Sequence, residues 1–324
     1  MSKVSIYLNP KASDVNYDWA SRIKSQLFRH DFELKMPKTK EELYSELDND
    51  LANNVEYLFC IGGDGTVNTI LQKIAGKDIK LLIIPGGTAN DLAREVGMGR
   101  SLKNIIKAFQ HKTHTKVDLI KVNDHYMCTN GGIGCAADVA AKINSYRESV
   151  LGFLNIMKGV GSNIYPLIFT KEMVFGKMKF YNLHLECQDL PLLNPLVKTP
   201  LVLVNNQSTL GGRFHVAPQT KNTDGKFNVT IFTHENKKDL LQCSYNLLTG
   251  NYPFHDKNLI SFETDRLTIN NLDKEPLTFF GDGEILNRDQ ILEIEACPQA
   301  LEVCSYMDDL VYANSYDLQQ ISLL

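Results

Sequence analysis

The sequence lacks the cysteine pattern of disulfide-stabilised and zinc-binding proteins. Its seven cysteines are odd in number, and no two of them form a Cys-x-x-Cys pair. A disulfide framework requires paired cysteines, and zinc knuckles require closely spaced ones. Neither class is indicated, and we expect reduced thiols that are mostly buried.

A long apolar run and an excess of positive charge are also missing. The most apolar window, Leu151 to Phe169, is interrupted by Gly152 and Pro166, whereas a membrane-spanning helix needs about 20 predominantly apolar residues. The first apolar run ends at Asn9-Pro10, too early for a secretory signal, so we expect a cytoplasmic protein. Because the net charge is -4, no nucleic-acid partner is expected.

The composition is that of a folded globular chain. Hydrophobic residues make up 43% and charged residues 22% of the 324 residues, a length that predicts about two domains. The first part alternates strands, such as Val4 to Leu8, with helices, such as Asp18 to Phe28, which indicates a parallel sheet. Thr39 and Glu42 have the spacing of a capping box at the start of the next helix.

Two glycine-rich loops follow neighbouring strands of this sheet. Strand Tyr57 to Ile61 leads into Gly62-Gly63-Asp64-Gly65-Thr66, and strand Leu81 to Ile84 leads into Pro85-Gly86-Gly87-Thr88; each loop precedes a helix. Glycine lets the backbone approach a phosphate closely, and a helix N-terminus attracts the anion. Neither loop has the ending of a Walker A motif or a G-x-G-x-x-G fingerprint. Each loop alone could be an ordinary turn, but together they predict phosphate binding.

Acidic residues accompany these loops. Asp64 and Asp91 would repel a phosphate unless a divalent cation intervened, so they imply Mg²⁺; helix capping is the structural alternative. Further along, Asp282 and Glu284 flank Gly283 at the end of a strand. A carboxylate there could accept the proton of an attacking hydroxyl, although Asp-Gly is also a common turn dipeptide.

The second part of the chain changes to short alternating segments typical of antiparallel strands, among them separate strands at Ile291 to Glu295 and Leu301 to Cys304. We predict that one or two helices interrupt these strands, around Ala136 to Tyr146 and Lys237 to Leu248, and that a C-terminal helix begins near Asp309. The predicted division is an α/β domain at 1–120 and a β-rich domain at 121–305, with 306–324 returning to the first domain.

Three motifs in this order resemble the catalytic module of the diacylglycerol kinase family, which is related to the sphingosine kinases, and within it the soluble bacterial-type lipid kinases. They are Gly62-Gly63-Asp64-Gly65-Thr66, Pro85-Gly86-Gly87-Thr88-Ala89-Asn90-Asp91-Leu92-Ala93-Arg94 and Asp282-Gly283-Glu284. The resemblance spans nearly the whole chain. It implies an α/β N-terminal domain with a parallel, Rossmann-like sheet that binds ATP, and a second domain that is mainly an antiparallel β-sandwich and binds a lipid.

The resemblance also implies roles for individual residues. Asp282 would be the general base, with Glu284 supporting it. The implied nucleotide contacts are Asn9, Pro10, Ser13, Thr39, Gly62, Gly63, Asp64, Gly65, Thr66, Val67, Asn68, Gly87, Thr88 and Asn90. This sequence departs from the family after Asn9-Pro10, where Lys11-Ala12-Ser13-Asp14 lacks the usual glycine.

A further stretch, Ala217 to Gly225, resembles the metal-binding loop of the family. Asp224 would bind Mg²⁺ together with the carbonyl groups of Lys221 and Lys226, and water would link the ion to Asp64 and Asp91. A hairpin turn at Asp224-Gly225 is the structural alternative.

Rival interpretations remain at this point. An NAD kinase shares the first glycine-rich motif, as does a phosphofructokinase, and a non-catalytic nucleotide or lipid sensor could keep the same fold. The acceptor could be a diacylglycerol, a phosphatidylglycerol, a sphingoid base, a prenol or a glycolipid. The window Leu151 to Phe169, followed by Lys171, Lys177 and Lys179, could form a basic-rimmed lipid entrance, although a helix of the domain core is the favoured alternative. Peripheral membrane contact is therefore the most that we expect. Whether the chain forms a homodimer is left open.

Overall fold

The structure is a computed structural model that describes most of the chain. The described residues are 2–10, 12, 18–27, 29–87, 89–149, 168, 171, 178–191, 194–210, 214–253 and 255–306. Ser13, Thr88, Lys177 and the chain beyond Tyr306 lie outside them. The apolar window predicted at Leu151 to Phe169 also lies outside them, apart from Ile168.

Strands and helices alternate in the first part of the chain. In order they are β1 (Lys3–Leu8), α1 (Asp18–Gln26), β2 (Asp31–Lys35), α2 (Lys40–Ala52), β3 (Tyr57–Gly62), α3 (Asp64–Ile74), β4 (Lys80–Pro85), α4 (Asp91–Glu95), α5 (Leu102–Gln110), β5 (His114–Val122) and β6 (His125–Met127). The strand order β2-β1-β3-β4 is parallel throughout. The predicted parallel α/β arrangement is confirmed.

The remaining elements are mostly strands. They are β7 (Asn130–Gly134), α6 (Cys135–Ser149), β8 (Tyr181–Glu186), β9 (Leu196–Thr199), β10 (Leu201–Asn205), β11 (Thr209–Leu210), β12 (Phe214–His215), β13 (Phe227–Phe232), α7 (Lys237–Leu248), β14 (Leu259–Thr264), β15 (Arg266–Asn271), β16 (Leu277–Gly281), β17 (Glu284–Asp289) and β18 (Ile291–Cys304). A six-stranded sheet has the order β14-β13-β10-β7-β16-β17 and is antiparallel throughout. The predicted antiparallel second part is confirmed.

The last strand, β18, connects the two parts of the molecule. Its beginning pairs with β15 and much of its length with β5, both antiparallel. Near its end, Glu302 and Val303 pair in parallel with Lys80 and Leu81 of β4. The parallel sheet of the first part therefore continues, within one ten-stranded sheet, into one layer of the sandwich. Sequence patterning treated these as separate sheets.

Three hydrophobic clusters follow from this layering. One lies around β1 to β4 and their helices. A second fills the space between the antiparallel sheet and the β8, β15 and β18 end of the large sheet. Along β10, Val202 and Val204 enter this second cluster, whereas Leu201 and Leu203 face a third cluster under α6 and α7, because side chains alternate along a strand. Within the described residues, no helix has both the length and the apolarity that a bilayer span requires.

Candidate active site

The two glycine-rich loops lie against each other. The N–H of Gly86 donates to the carbonyl of Gly62 at 2.8 Å. A Cβ atom on Gly87 would lie only 2.6 Å from the Cα of Gly63, and one on Gly63 would lie 2.9 Å from the Cα of Gly87. Glycine is therefore required at both positions by the contact between the loops, in addition to any ligand. The adjacency follows from the parallel pairing of β3 with β4.

Asp64 holds the second loop in place. Its two carboxylate oxygens accept the N–H groups of Asn90 at 2.8 Å and of Asp91 at 2.7 Å. These are the first N–H groups of α4, so Asp64 caps that helix from another element. Burial raises the pKa of Asp64, although both hydrogen bonds lower it. The capping alternative is thus realised for Asp64, and its proposed link to Mg²⁺ stays a prediction.

Asn90 shapes the second loop from within. It has a left-handed backbone with φ of 54°, a conformation that asparagine tolerates better than most residues. Its Oδ1 accepts the Gly87 N–H at 2.8 Å, and its Nδ2 donates to the Gly87 carbonyl at 2.7 Å. Arg100 donates to the same carbonyl at 3.2 Å. The Asn90 amide is therefore engaged in holding the loop.

Asn9, which follows β1, contacts the first glycine-rich loop. Its Nδ2 donates to Thr66 Oγ1 at 2.8 Å, and Thr66 packs over Gly62, where a Cβ atom would be 2.7 Å from the threonine side chain. Asn9, Gly62 and Thr66 are thus brought together. Pro10 follows directly and is half-buried.

Three residues that were predicted to contact the nucleotide make contacts with other parts of the protein. Val67 is buried in the first hydrophobic cluster, and its N–H donates to the Gly63 carbonyl, so its side chain does not reach the loop surface. Thr39 accepts the Glu42 N–H at 3.2 Å and caps α2, which confirms the capping interaction. Asn68 is buried and faces the second part of the molecule. The contact of each with a nucleotide remains a prediction.

Asp282 occupies a tight hairpin turn between β16 and β17. Gly281 pairs with Glu284, and the two turn residues have positive φ, 54° for Asp282 and 80° for Gly283. Asp-Gly is a favoured sequence for such two-residue turns. The turn alternative is therefore correct, and it also fixes the Asp282 carboxylate at a rigid strand end.

The Asp282 carboxylate is buried among donors from distant parts of the chain. Asn68 Nδ2 donates to it at 2.8 Å, the Cys128 N–H at 3.0 Å, and Thr129 through both its N–H at 2.8 Å and its Oγ1 at 2.7 Å. Burial, followed by the Asp282 carboxylate, raises the pKa of the Cys128 thiol well above its ordinary value. Asp282 thus joins α3 of the first part to the link between β6 and β7.

Glu284 also faces the first glycine-rich loop. Its Oε1 would be 3.1 Å from a Cβ atom on Gly65, which lies in the first turn of α3. The negative charge of Asp282 contributes to the raised pKa of Asp64. The structure therefore brings the Asp282 hairpin to the phosphate-type loop from which it is separated by more than 200 residues of sequence.

The predicted metal-binding loop, Ala217 to Gly225, is hydrogen-bonded to Asp118 of β5. Asp224 is exposed, and its Oδ1 accepts the Lys226 N–H at 3.1 Å. The next N–H, of Gly225, donates to Asp118 Oδ2 at 2.7 Å, and Asp118 also accepts the Gln299 N–H at 2.7 Å. Sequence reasoning missed Asp118, which is buried and anchors this loop. No signal in its strand-like surroundings identifies it.

A carboxylate with carbonyl oxygens is a donor set that suits Mg²⁺, so Asp224, Lys221 and Lys226 fit the predicted ion. In the part of the chain that the structure describes, however, Asp64, Asp91 and Asp224 do not form a group whose carboxylate oxygens all lie within 4.8 Å of one another. The group of metal-ligating side chains found there is His234, Cys243 and Asp256, with ligand atoms within 4.8 Å of one another. Its sequence spacing matches no metal motif.

These features define a class of protein: a two-part α/β and β-sandwich fold with phosphate-type loops facing a buried carboxylate. The family model "Diacylglycerol kinase catalytic domain" matches residues 3–122, and the model "YegS C-terminal NAD kinase beta sandwich-like domain" matches residues 163–305. The first part of the chain is thus similar to diacylglycerol kinase catalytic domains, and the second part to the YegS C-terminal β-sandwich-like domain.

Similar proteins agree with this assignment. A provisionally named lipid kinase of Staphylococcus carnosus is 25% identical over 72% of this chain and 72% of its own, and one of Staphylococcus aureus is 24% identical over 79% of each chain. A crystal structure from Bacillus anthracis, provisionally described as a diacylglycerol kinase, has 19% identity and a TM-score of 0.73, covering 94% of this chain and 98% of its own. At that identity the last comparison shows the fold alone.

Proposed function

We propose that the protein is a lipid kinase that transfers the γ-phosphate of ATP, with Mg²⁺, to a hydroxyl group of a lipid. One observation carries this proposal: Asp282 is hydrogen-bonded to Asn68, on the helix that follows the first glycine-rich loop. A candidate proton acceptor therefore lies beside a candidate phosphate-binding loop, which is the arrangement that phosphoryl transfer to a hydroxyl requires. The family and the names of the relatives support the lipid as the acceptor class.

In this proposal the two loops bind the nucleotide phosphates. Backbone N–H groups near Gly63, at the N-terminus of α3, would face the anion. Because the contact between Gly63 and Gly87 fixes the loops relative to each other, the phosphate-binding backbone is preorganised. The hydrogen bond between Asn9 and Thr66 holds the end of β1 against this surface.

Asp282 would accept the proton of the acceptor hydroxyl. Its oxygens already accept several hydrogen bonds, so the incoming hydroxyl would replace one donor. Thr129 Oγ1 is the donor best suited to yield, because it can rotate away, whereas the backbone N–H groups of Cys128 and Thr129 are fixed. Glu284, next to Gly65, would orient the groups around the transferred phosphate.

Asp224, with the carbonyl groups of Lys221 and Lys226, would hold Mg²⁺, and water would link the ion to Asp64 and Asp91. When bound, the ion neutralises phosphate charge during transfer. A lipid acceptor also implies that the protein works at a membrane surface, which we include in the proposal.

The direct test is transfer of labelled γ-phosphate from ATP to lipids in mixed micelles, with NAD⁺ as a competing acceptor, in the presence and absence of Mg²⁺. We expect a labelled lipid to form only when Mg²⁺ is present. Labelled NADP⁺ would instead identify an NAD kinase. Nucleotide binding without transfer to any acceptor would favour a non-catalytic sensor.

A further inference from the structure

Three amide side chains gather next to the Asp282 hairpin. Asn130 of β7 lies directly opposite Asn205 of β10 in the antiparallel register, and its carbonyl accepts the Asp282 N–H at 3.1 Å. Gln207 follows two residues after Asn205. The side chains of Asn130 and Gln207 both donate to the Thr209 carbonyl, at 2.6 and 3.2 Å, so they converge. We call Asn130, Asn205 and Gln207 the amide cluster.

The amide cluster is buried with hydrogen-bonding capacity to spare. Asn130 is 2% exposed, and Asn205 and Gln207 are 0% exposed. Within the described residues, four of their buried atoms have no hydrogen-bond partner: Asn130 Oδ1, Asn205 Oδ1, Asn205 Nδ2 and Gln207 Oε1. Unpaired buried polar atoms are costly, and native proteins keep few of them without a reason.

The Thr209 carbonyl fixes what the cluster offers to a ligand. A carbonyl oxygen only accepts hydrogen bonds, so the atoms of Asn130 and Gln207 that face it are the NH₂ groups. The remaining atoms of these two amides are therefore oxygens. With Asn205 added, the cluster presents three uncharged acceptor oxygens and one donor group. Such a set is complementary to several hydroxyl groups rather than to a phosphate.

A neighbouring asparagine, Asn228, has protein hydrogen-bond partners for its side-chain amide and serves as a comparison. Asn228 of β13 lies opposite Asn205 on the other side of β10. Its Nδ2 donates to Ser261 Oγ at 3.1 Å, and its Oδ1 accepts from Thr230 Oγ1 at 3.0 Å. The same residue type, in the same row of the sheet, is thus paired at one position and unpaired at the position nearer Asp282.

We propose that the amide cluster binds the polar headgroup of the acceptor, and that the acceptor is a lipid whose headgroup has two or more free hydroxyl groups. This inference rests on the proposed kinase function and names its substrate class. One hydroxyl gives its proton to Asp282 while its oxygen bonds to the γ-phosphorus and the bond from phosphorus to ADP breaks. The other hydroxyl groups donate to Asn130, Asn205 and Gln207. A monoacylglycerol is accordingly preferred to a diacylglycerol, which has a single free hydroxyl.

The test compares these two lipids in the same detergent micelles. The measured quantity is the ratio of kcat/KM for monoacylglycerol to that for diacylglycerol, in the wild type, Asn205→Leu and the matched control Asn228→Leu. Loss of a buried partner for a substrate hydroxyl lowers the ratio about tenfold in Asn205→Leu, whereas Asn228→Leu leaves it unchanged. An unchanged ratio in Asn205→Leu, or a wild type that prefers diacylglycerol, overturns the inference.

Thermal stability separates ligand binding from an internal role. Because leucine removes unpaired polar atoms from a buried position, Asn205→Leu melts at the wild-type temperature or above it, and Asn228→Leu, which strands Thr230 and Ser261, melts below it. If Asn205→Leu is destabilised as much as Asn228→Leu, the amide is satisfied internally and the inference is wrong. Asn205→Ala serves the same comparison if the leucine variant does not fold.

A binding measurement without ATP and Mg²⁺ distinguishes this inference from the kinase proposal. Monoacylglycerol micelles raise the melting temperature of the wild type but not that of Asn205→Leu. If this holds while no lipid is phosphorylated, the kinase proposal fails and the headgroup site stands. If lipids are phosphorylated and the ratio is insensitive to Asn205, the kinase proposal stands and the headgroup site fails.

Discussion

The buried carboxylates of this protein differ in the hydrogen-bond donors that surround them, and these donors indicate different roles. Asp118 accepts backbone N–H groups of Gly225 and Gln299 and so ties loops together. Asp50 accepts from Tyr7 and Lys35 within the first part of the molecule. Asp282 accepts from groups on both sides of the junction between the two parts. That difference, rather than burial, makes Asp282 the candidate base.

Sequence reasoning located Asp282 and Glu284 but not their surroundings. The motif was visible because its residues are contiguous, and the Asp-Gly turn could be predicted from local preference. Asp118 and the amide cluster could not be found, because their meaning depends on partners far away in the sequence. Gln299, for example, is 181 residues from Asp118. The roles of such residues are set by tertiary pairing and have no local signature.

At the residue scale, the contact between the glycine-rich loops gives a sharp prediction. Gly87→Ala places a methyl group 2.6 Å from the Gly63 backbone and 3.0 Å from Asn90 Oδ1. The backbone cannot move aside as easily as a flexible side chain can, so the two loops are forced apart. We therefore expect a loss of about 1–3 kcal/mol in the free energy of unfolding and a higher KM for ATP. Denaturant titration and steady-state kinetics measure the two effects.

Gly99→Ala is the control for this substitution, because a Cβ atom there meets nothing within 4 Å. It should leave the free energy of unfolding and the KM for ATP close to those of the wild type. Equal behaviour of the two variants would show that the loop contact does not matter.

At the scale of elements, the parallel strands and their helices follow from local patterning, whereas β18 does not. The alternation of apolar and polar residues in the sequence predicts separate strands at Ile291 to Glu295 and Leu301 to Cys304. The structure has one strand across both, with a shift of register between Cys297 and Leu301. β18 is continuous because β5 pairs with it on both sides of this irregularity. Local sequence patterns do not reveal such a pairing.

His114, at the start of β5, makes the junction between β4, β5 and β18 sensitive to pH. Burial lowers the pKa of His114 from its ordinary value of 6.5, with Lys80 and Lys112 acting in the same direction and Glu302 opposing them. The unfolded state therefore binds the proton more readily, and stability is lost as pH falls below 6.5 through the lowered pKa.

We expect the free energy of unfolding, measured by urea titration, to fall between pH 7 and pH 5, and to fall less in His114→Gln over the same interval. The variant isolates His114 from the other seven histidines. An equal decrease in both proteins would mean that protonation of His114 is not coupled to folding.

For the whole molecule, the shared ten-stranded sheet predicts that the two parts unfold together. The single tryptophan, Trp19, packs against the first hydrophobic cluster and reports on that part alone, whereas far-UV circular dichroism reports on the entire chain. Because β18 is bonded to β4 at one end and β15 at the other, the urea curves from the two signals should coincide. A separate tryptophan transition would show that the parts are independent.

The rate of phosphoryl transfer in Asp282→Asn measures whether Asp282 accepts the proton of a lipid hydroxyl. Asp50→Asn serves as the control, since Asp50 is also buried, at 3% exposure, but binds Tyr7 and Lys35 instead. Both variants should lose stability, so the assay is run where both are folded. If Asp282 has this role, Asp282→Asn transfers phosphate about 10²–10⁴-fold more slowly with unchanged ATP affinity, and Asp50→Asn keeps the wild-type rate. A wild-type rate in Asp282→Asn would contradict it.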